Sequence, residues 1–423
     1  MTDTTPFILR NAHVPRTFTD LGGTDEILRL DIGIANGHIA FVAPAGTGAS
    51  GPADWREIHL DRHMIWPCFA EAHTHLDSTQ IWGRSPNPDG SFASAASAII
   101  ADREQHWTPD DMRRRMDFGL RCAYAYGVRA MRTHLASQNE QIEQRWEIFS
   151  DVRAAWAGRI DLQAVPLIST DVLADDLWFN RVLNIVRKHD GVLGGFAHVS
   201  PFVDKSLARL FDAAEQHGLA LDFHADETSD ASSDILRRVA TLAAARGGDV
   251  PVMVGHCCSL AVQQDDAVED TLDLVVKGGL SIVSLPGCNL YLQARSPGRT
   301  PRWRGVTLLH EMAARGIPLC IGGDNCRDPY NPYGDFNPLE HFRDAVRIAH
   351  LDHPIGDWPR SVTTTPGGII SRAQPIAAGA PADLILYRAN SFNELFVRHG
   401  ADRQLIRAGQ FMDAHLPDFS ELD

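Results

Sequence analysis

Short apolar runs alternate with amphipathic stretches through the middle of this chain, and this alternation constrains the fold more than any other feature. Stretches such as SLARLFDAAEQHG and GVTLLHEMAARG separate several of the runs and end in glycine, as helices often do. Strands that alternate with helices predict a parallel sheet covered by helices. The eight runs are IWPCFAEAH, GVRAMRTH, IDLQAVPLI, GVLGGFAHV, LALDFHAD, VPVMVGHC, GLSIVSLPG and IPLCIGGD.

The count of eight runs predicts a (β/α)8 TIM barrel, although a doubly wound open sheet would give a similar rhythm. Polar side chains at the carboxyl ends of the runs favour the barrel, because a barrel brings all these ends together on one face. An open sheet would spread them along a line. The residues concerned are His73, His75, His134, Gln163, His198, His224, His256 and Asp324.

Both ends of the chain have a different pattern, with strand-like pieces such as FILRNAHV and DLILYRA and hairpin-type turns. We therefore expect two domains. Residues 1–66 and 372–423 would form one small β-sheet domain, and residues 67–371 would form the barrel.

Composition excludes several functional classes. The chain of 423 residues has a formal net charge of -15 and no Lys/Arg-rich run, so a nucleic-acid partner is not expected. We expect neither a signal peptide nor a membrane span, because no apolar run approaches the roughly 20 residues that a span needs. The seven cysteines include no CxxC pair and do not suggest a secreted disulfide framework. We expect a cytoplasmic protein that could form a homo-oligomer.

Four motifs carry candidate chemistry. In EAHTHLD, His73 and His75 lie two residues apart on an extended segment and point to the same side. LDFHADE offers His224 and a nearby acid, Glu227, although an acidic residue after a strand is also common at a helix N-terminus. His256 follows another apolar run, and Asp324 follows the last. Each motif alone has an ordinary structural explanation, such as a hydrogen-bonded core histidine or a helix cap.

Together the motifs indicate a metal centre. Neutral imidazoles with one carboxylate suit Zn(II) or Fe(II) far better than magnesium or calcium. Such an ion would lower the pKa of a bound water toward neutrality.

The order of these motifs resembles the amidohydrolase superfamily, and within it the bacterial cytosine deaminase family. The segments that carry the resemblance are EAHTHLDSTQ, the Arg-Thr-His strand in GVRAMRTH, RIDLQAVPLI, LDFHADET, VGHCCSL, CNLYLQARSPGRTPRWRG and GGDNCRDPYNPYG. The resemblance extends through most of the chain.

The resemblance implies a role for each matching residue. One divalent ion, Zn(II) or Fe(II), would be held by His73, His75, His224 and Asp324. His256 would be a catalytic imidazole, Glu227 would carry protons, and Asp324 would also accept the proton of water. Gln163, Asn325 and Tyr330 would contact the substrate. Asp77 is interpreted as a structural residue, and the roles of His134 and His198 stay open.

The implied reaction is hydrolytic deamination of an aminated nitrogen heterocycle, with release of ammonia. The sequence departs from the cytosine deaminase pattern where Asn325 replaces an acid, where Tyr330 replaces a tryptophan, and at Ala136 and around His198. We therefore expect plain cytosine to be a poor substrate. A substituted cytosine, a pterin, an aminotriazine or creatinine would suit the pocket better.

Three alternatives stay open at this point. The enzyme could cleave a related C–N bond, by N-dealkylation of an aminotriazine or opening of a cyclic amide. The scaffold could serve a non-catalytic binding protein, although the intact ligand set and Glu227 argue against it. A nucleic-acid-editing deaminase of the zinc cytidine type is disfavoured because the chain has no P-C-x-x-C motif.

Overall fold

The computed structural model describes residues 5–49, 51–398 and 402–423 of the chain. Within these ranges the strands, in chain order, are β1 (Phe7–Pro15), β2 (Ile27–Ala35), β3 (His38–Pro44), β4 (Arg56–His59), β5 (Met64–Pro67), β6 (Phe69–Thr74), β7 (Val128–Ala136), β8 (Asp161–Leu167), β9 (Leu193–Ala197), β10 (Leu221–Ala225), β11 (Val252–His256), β12 (Ser281–Ser284), β13 (Leu319–Ile321), β14 (Leu384–Tyr387), β15 (Gln404–Arg407) and β16 (Gln410–Met412).

The helices occupy most of the segments between the parallel strands. In chain order they are α1 (Phe92–His106), α2 (Pro109–Tyr126), α3 (Ile142–Ala155), α4 (Asp176–Lys188), α5 (Val203–His217), α6 (Ile235–Ala245), α7 (Asp265–Lys277), α8 (Pro286–Leu292), α9 (Leu309–Ala314), α10 (Pro338–Ala349), α11 (Thr364–Ile370) and α12 (Phe392–Arg398). No helix among the described residues is both long enough and apolar enough to cross a membrane.

Local sequence sets the limits of these helices. In α2 the Thr108 side chain accepts a hydrogen bond from the Asp111 backbone N–H, and Pro109 occupies the first turn, where its missing N–H costs nothing. The helix ends at Gly127, whose φ of 93° lies in the left-handed region that favours glycine. The chain then enters β7 directly, so this cap positions a strand that carries His134.

The eight apolar runs become strands β6 to β13, and all their pairings are parallel. They form a three-stranded sheet, β6-β7-β8, and a five-stranded sheet, β13-β12-β11-β10-β9. Single parallel bridges join the two sheets at both edges, between Ser169 and Phe196 and between Thr74 and Asp324. The predicted α/β architecture with parallel strands is confirmed.

Strands from both ends of the chain share a separate sheet. Its order is β16-β15-β14-β5-β1-β2-β3, with β4 paired to β1. The first apolar run is divided between two sheets, because β5 pairs antiparallel with β14 while β6 begins the parallel strands. The division into domains at residues 66 and 372 stays a prediction.

The junction between this sheet and the parallel strands is built around Trp66. Its side chain is fully buried, and its ring lies 5.0 Å from that of Phe18 and 6.0 Å from those of Phe69 and Phe342, measured between centroids. Fully burying a side chain of this size contributes a few kcal/mol. The packing fixes the chain only a few residues before His73 and thereby anchors the first strand of the site.

Candidate active site

His73, in β6, and His75, one residue beyond its end, both direct Nε2 toward Asp324. His73 is fully buried and His75 nearly so, and their rings lie 5.5 Å apart. The Nε2 atom of His75 lies 3.0 Å from Oδ1 of Asp324, and that of His73 lies 3.5 Å from the same oxygen. The backbone brings these residues together, since the Asp324 N–H donates to the His73 carbonyl.

His224, in β10, completes a group of three converging imidazoles. Its Nε2 lies 3.1 Å from His73 Nε2 and 3.4 Å from His75 Nε2. Burial lowers the pKa of His224 well below its ordinary value, and the neighbouring His73 and His256 add to the effect. Two imidazole nitrogens that face one another are unfavourable neighbours unless a ring hydrogen or a cation lies between them.

Asp324 supplies a negative charge next to the imidazoles. Burial alone would raise its pKa, but the contacts with His73 and His75 outweigh burial and hold the pKa well below its ordinary value. Its backbone has a φ of +64°, an unfavourable conformation for a residue with a side chain, which costs on the order of 1–3 kcal/mol. Converging nitrogens and an ionised carboxylate, all buried, fit a divalent metal ion.

Nearest-atom distances allow more than one assignment of the ligands. Donor atoms of His73, His224, His256 and Asp324 all lie within 4.8 Å of one another and could hold a metal ion. His75 is outside that grouping, although its Nε2 lies closer to Asp324 Oδ1 than that of His73 does. Whether His75 or His256 is a ligand therefore depends on the other contacts that His256 makes.

His256 is held from behind by Asn289 of α8. The Asn289 Nδ2 donates to His256 Nδ1 at 3.1 Å, so Nδ1 is an acceptor and the ring hydrogen lies on Nε2. Burial is the main cause that lowers the pKa of His256 to about 3. Nε2 has no hydrogen-bond partner within the described part of the chain. With this tautomer, Nε2 presents an N–H rather than a lone pair.

Glu227 lies on the other side of the same amide. Asn289 Nδ2 donates to Glu227 Oε1 at 3.0 Å, and Gln293 Nε2 donates to the Glu227 carbonyl at 3.2 Å. Burial raises the pKa of Glu227 well above its ordinary value, and the negative charge of Asp324 raises it further. A carboxyl group that stays protonated in a buried site can act as a proton donor.

Asn289 and Gln293 were missed as site residues from sequence, although their segment contributed to the family resemblance. The signal was present, because residues four apart on a helix lie on the same face. Both side chains contact Glu227, one at its carboxyl group and one at its backbone carbonyl.

Most of the predicted site residues line one cavity of about 530 Å³, a size typical of small-molecule pockets. The lining includes Glu227, His256, Asp324, Asn325 and Tyr330. Aromatic and aliphatic side chains form much of the remaining wall, which suits a flat, largely apolar ring.

Gln163 lies elsewhere, and this differs from the expected substrate contact. Among the described residues that line the cavity, Gln163 is absent. Its Oε1 accepts from the Arg132 guanidinium at 2.8 Å, and its Nε2 donates to the Ile370 carbonyl. The apolar run continues to Leu167, so Gln163 lies in the first half of β8 rather than at its carboxyl end.

Asn325 is fixed by a buried acid beyond the site. Its Nδ2 donates to Asp328 Oδ2 at 2.6 Å, and the Ser78 hydroxyl donates to the same oxygen at 3.2 Å. The backbone N–H groups of Tyr330 and Asn331 donate to the other oxygen. The amide orientation is thus determined, and the side-chain oxygen Oδ1 of Asn325 accepts from the Cys288 thiol at 4.0 Å.

The three remaining polar residues have distinct positions. His134 is buried against His73, with ring centroids 4.1 Å apart, and neither of its ring nitrogens has a hydrogen-bond partner among the residues described. Asp77 accepts from the Ala136 backbone N–H at 2.7 Å, which fits a structural role. His198 lies at the cavity wall with a half-exposed side chain, 3.3 Å from Asp171.

This geometry defines a class of protein: hydrolases that place a metal-binding group and a proton donor at the carboxyl ends of parallel strands. The sequence profile of the Amidohydrolase family matches residues 129–410. The chain belongs to the amidohydrolase family, and the predicted resemblance is confirmed.

Two relatives are similar over most of the chain or nearly all of it. A pterin deaminase from Rhizobium rhizogenes (strain K84) is 47% identical, and the alignment covers 99% of this chain and 96% of that protein. An N-isopropylammelide isopropyl amidohydrolase from Pseudomonas sp. (strain ADP) is 21% identical over 78% of this chain and 76% of that protein.

Among solved structures, a 5-methylcytosine deaminase from Klebsiella pneumoniae has the same fold. The TM-score is 0.84 with 22% identity, and the match covers 97% of this chain and 98% of the other. The structure at 22% identity shows the fold alone. The prediction of an enzyme, a hydrolytic deaminase that acts on nitrogen heterocycles, is confirmed by the relative that is 47% identical.

Proposed function

We propose that this protein deaminates pterins: water replaces the amino group of the pteridine ring, and ammonia is released. The carrying observation is the convergence of three buried imidazoles and Asp324 beside Glu227 in a cavity of about 530 Å³. The pterin deaminase that is 47% identical supports the choice of ring.

The proposed ligands of the metal are His73, His75, His224 and Asp324. His256 is left out because its Nε2 carries the hydrogen when Asn289 donates to Nδ1. When bound, Zn(II) or Fe(II) would supply a Lewis acid that lowers the pKa of water. The donor set does not separate these two metals.

Proton transfers are assigned to the buried acids. Asp324 takes up a proton as water adds to the amino-bearing carbon. Protonated Glu227 donates to the adjacent ring nitrogen, so that negative charge does not build up there. His256 Nε2 donates a hydrogen bond to the oxygen that forms on the carbon. Asp324 then passes its proton to the amino group, the added hydroxyl returns a proton to Glu227, and ammonia leaves as a carbonyl forms at that carbon.

The scaffold that supports this site is proposed to be the closed (β/α)8 barrel. Single bridges at Ser169–Phe196 and Thr74–Asp324 support closure, since they join both edges of the two parallel sheets. The small β-sheet domain of residues 1–66 and 372–423, the cytoplasmic location and a homo-oligomer remain predictions.

An ammonia-release screen tests the proposal. Purified protein with measured metal content is incubated with pterin, cytosine, 5-methylcytosine, an aminotriazine and creatinine. We expect pterin to have the highest kcat/KM, with lumazine as the other product. Preference for a single-ring substrate would overturn the proposal of a pterin deaminase. Release of an amine or a carboxylate instead of ammonia would favour cleavage of a different C–N bond.

A further inference from the structure

One face of α1 lies along the cavity. The lining residues of this segment follow a spacing of three, four or seven, which is the spacing of one helix face. They are Phe92, Ala96, Ile99, Ile100, Arg103 and Trp107. Five of them are apolar, and Arg103 is the exception.

Arg103 is the one lysine or arginine among the described residues that line the cavity. Its side chain is partly buried, its Nε is shielded from solvent, and that atom has no hydrogen-bond partner in the described part of the chain. A guanidinium has five N–H donors, so an unpartnered one in a pocket wall is a strong potential anion site.

The carboxyl groups that line the same cavity are committed elsewhere. Asp77 accepts from the Ala136 N–H, and Asp226 accepts from the backbone N–H groups of Ile235 and Leu236. Glu227 and Asp324 belong to the catalytic group. No ion pair within 4.0 Å joins any described carboxylate to Arg103, so its charge is available to a ligand.

On this face of α1, Arg103 lies at the end opposite to the loop that follows Asp324. Phe92, near the start of α1, contacts Tyr330 of the loop after Asp324, with ring centroids 5.0 Å apart. Arg103 is the eleventh residue after Phe92, which places it about 16 Å further along the helix axis. The pKa of Arg145 is lowered to about 10, mainly because the side chain is buried. The positive charge of Arg103 lowers this pKa further. Arg145 in turn donates to the Ala136 carbonyl at the end of β7.

We propose that Arg103, the unpartnered cation in the cavity wall, binds an anionic substituent of the substrate. This inference rests on the proposed pterin deaminase function and narrows its substrate class to pterins with a negatively charged substituent on the second ring. Arg103 is then a specificity residue, because its contact distinguishes substrates without taking part in proton transfer.

The test compares two substrates that differ by one carboxylate, pterin and pterin-6-carboxylate, with 6-hydroxymethylpterin as a neutral control for size. We expect wild type to favour pterin-6-carboxylate over the neutral control by about 10- to 100-fold in kcat/KM, the usual range for a charged hydrogen bond. In Arg103→Met, which keeps the apolar stem, this ratio should fall by at least about tenfold, mainly through KM. Arg103→Lys should keep part of the preference.

Arg113→Gln is the matched control. Arg113 is exposed on α2 and pairs with Asp151 outside the cavity, so its removal should leave the substrate ratio unchanged. Equal losses on charged and neutral substrates in Arg103→Met would indicate a structural role and overturn the inference. So would a wild type without charge preference. Absence of ammonia release from all three pterins would instead overturn the proposed function, and the inference with it.

Discussion

The Nδ1 atom of His256 lies 3.5 Å from Oε1 of Glu227, and the amide nitrogen of Asn289 lies within hydrogen-bond distance of both. One donor thus orients a neutral imidazole and a carboxyl group together. Because Asn289 must donate to Nδ1, the hydrogen of His256 faces the metal-binding group, and Glu227 keeps its second oxygen for the substrate. Asn289 belongs to α8, so a helix outside the parallel sheets determines which nitrogen of His256 carries the hydrogen.

Glu227→Gln should abolish most of the activity while the metal stays bound. Glutamine keeps the shape and can still face Asn289, but it cannot give up a proton. We expect kcat to fall by about two or more orders of magnitude, in line with the loss of a general acid. Steady-state ammonia release with metal analysis of the same sample checks this, and near-wild-type turnover would remove Glu227 from the mechanism.

Removal of the first two imidazoles should release the metal. In the double variant His73→Ala, His75→Ala, we expect metal content to fall from near one equivalent to a small fraction, as measured by elemental analysis. His198→Ala is the matched control, because His198 also lines the cavity but lies next to Asp171 rather than Asp324. Metal that persists in the double variant would show that the ligand assignment is wrong.

Asn325→Asp should destabilise the protein, because the new carboxylate would face that of Asp328 at the 2.6 Å contact. Two adjacent carboxylates cannot both stay ionised without cost, and a loss of about 1–3 kcal/mol is expected. The double variant Asn325→Asp, Asp328→Asn restores an amide–carboxylate pair with its direction reversed. The unfolding free energy in urea is measured for wild type, both single variants and the double variant. The change in the double variant should differ from the sum of the single changes by about 1 kcal/mol or more, and additive changes would contradict the prediction.

The same substitution tests substrate choice. We expect plain cytosine to be a poor substrate of the wild type and Asn325→Asp to shift preference toward cytosine, because the substitution restores the acid that the cytosine deaminase pattern has at this position. The measurement is kcat/KM for cytosine and for pterin in both proteins. An unchanged ratio, or a wild type that already prefers cytosine, would refute this prediction.

His341 should make stability depend on pH. Burial alone would lower its pKa, but Glu71, 3.3 Å away, outweighs burial and raises the pKa above the ordinary value. Because the pKa of His341 is higher in the folded than in the unfolded state, protonation of His341 stabilises the folded protein. This stabilisation is complete below the unfolded pKa of about 6.5 and disappears as pH rises through the folded pKa. Each pKa unit of the shift contributes about 1.4 kcal/mol.

The comparison is His341→Gln against wild type in urea unfolding at pH 6 and pH 9. We expect the difference in unfolding free energy to be larger at pH 6. His415→Gln serves as control, because that side chain is 81% exposed and should change little at either pH. A difference that does not vary with pH would mean that His341 stays neutral.

Strand-end histidines and the eight-run rhythm were readable from the sequence, because burial on both sides leaves long apolar runs that only functional polar groups interrupt. Gln163 was misplaced for a related reason. Its run continues four residues further to Leu167, and an apolar run does not mark where its carboxyl end faces the cavity.

Contacts made across the fold were not readable. Asp328 and Ser78 lie 250 positions apart, and their hydrogen bond sets the orientation of Asn325. Likewise, Gly323 has no side chain because a Cβ atom there would lie 2.1 Å from the His341 ring. Such requirements appear only when distant segments meet, so no local pattern in the sequence reports them.

Because β14 pairs with β5, the sheet around β5 can be completed only late in synthesis. A ribosome delivers the chain from its N-terminus, so every parallel strand emerges before Leu384, the partner of Pro67. Until then the ring of Trp66 lacks Tyr387 and Phe392, two of the aromatic residues that cover it. The segment that leads into the first two imidazoles therefore reaches its final packing only after nearly the whole chain has been translated.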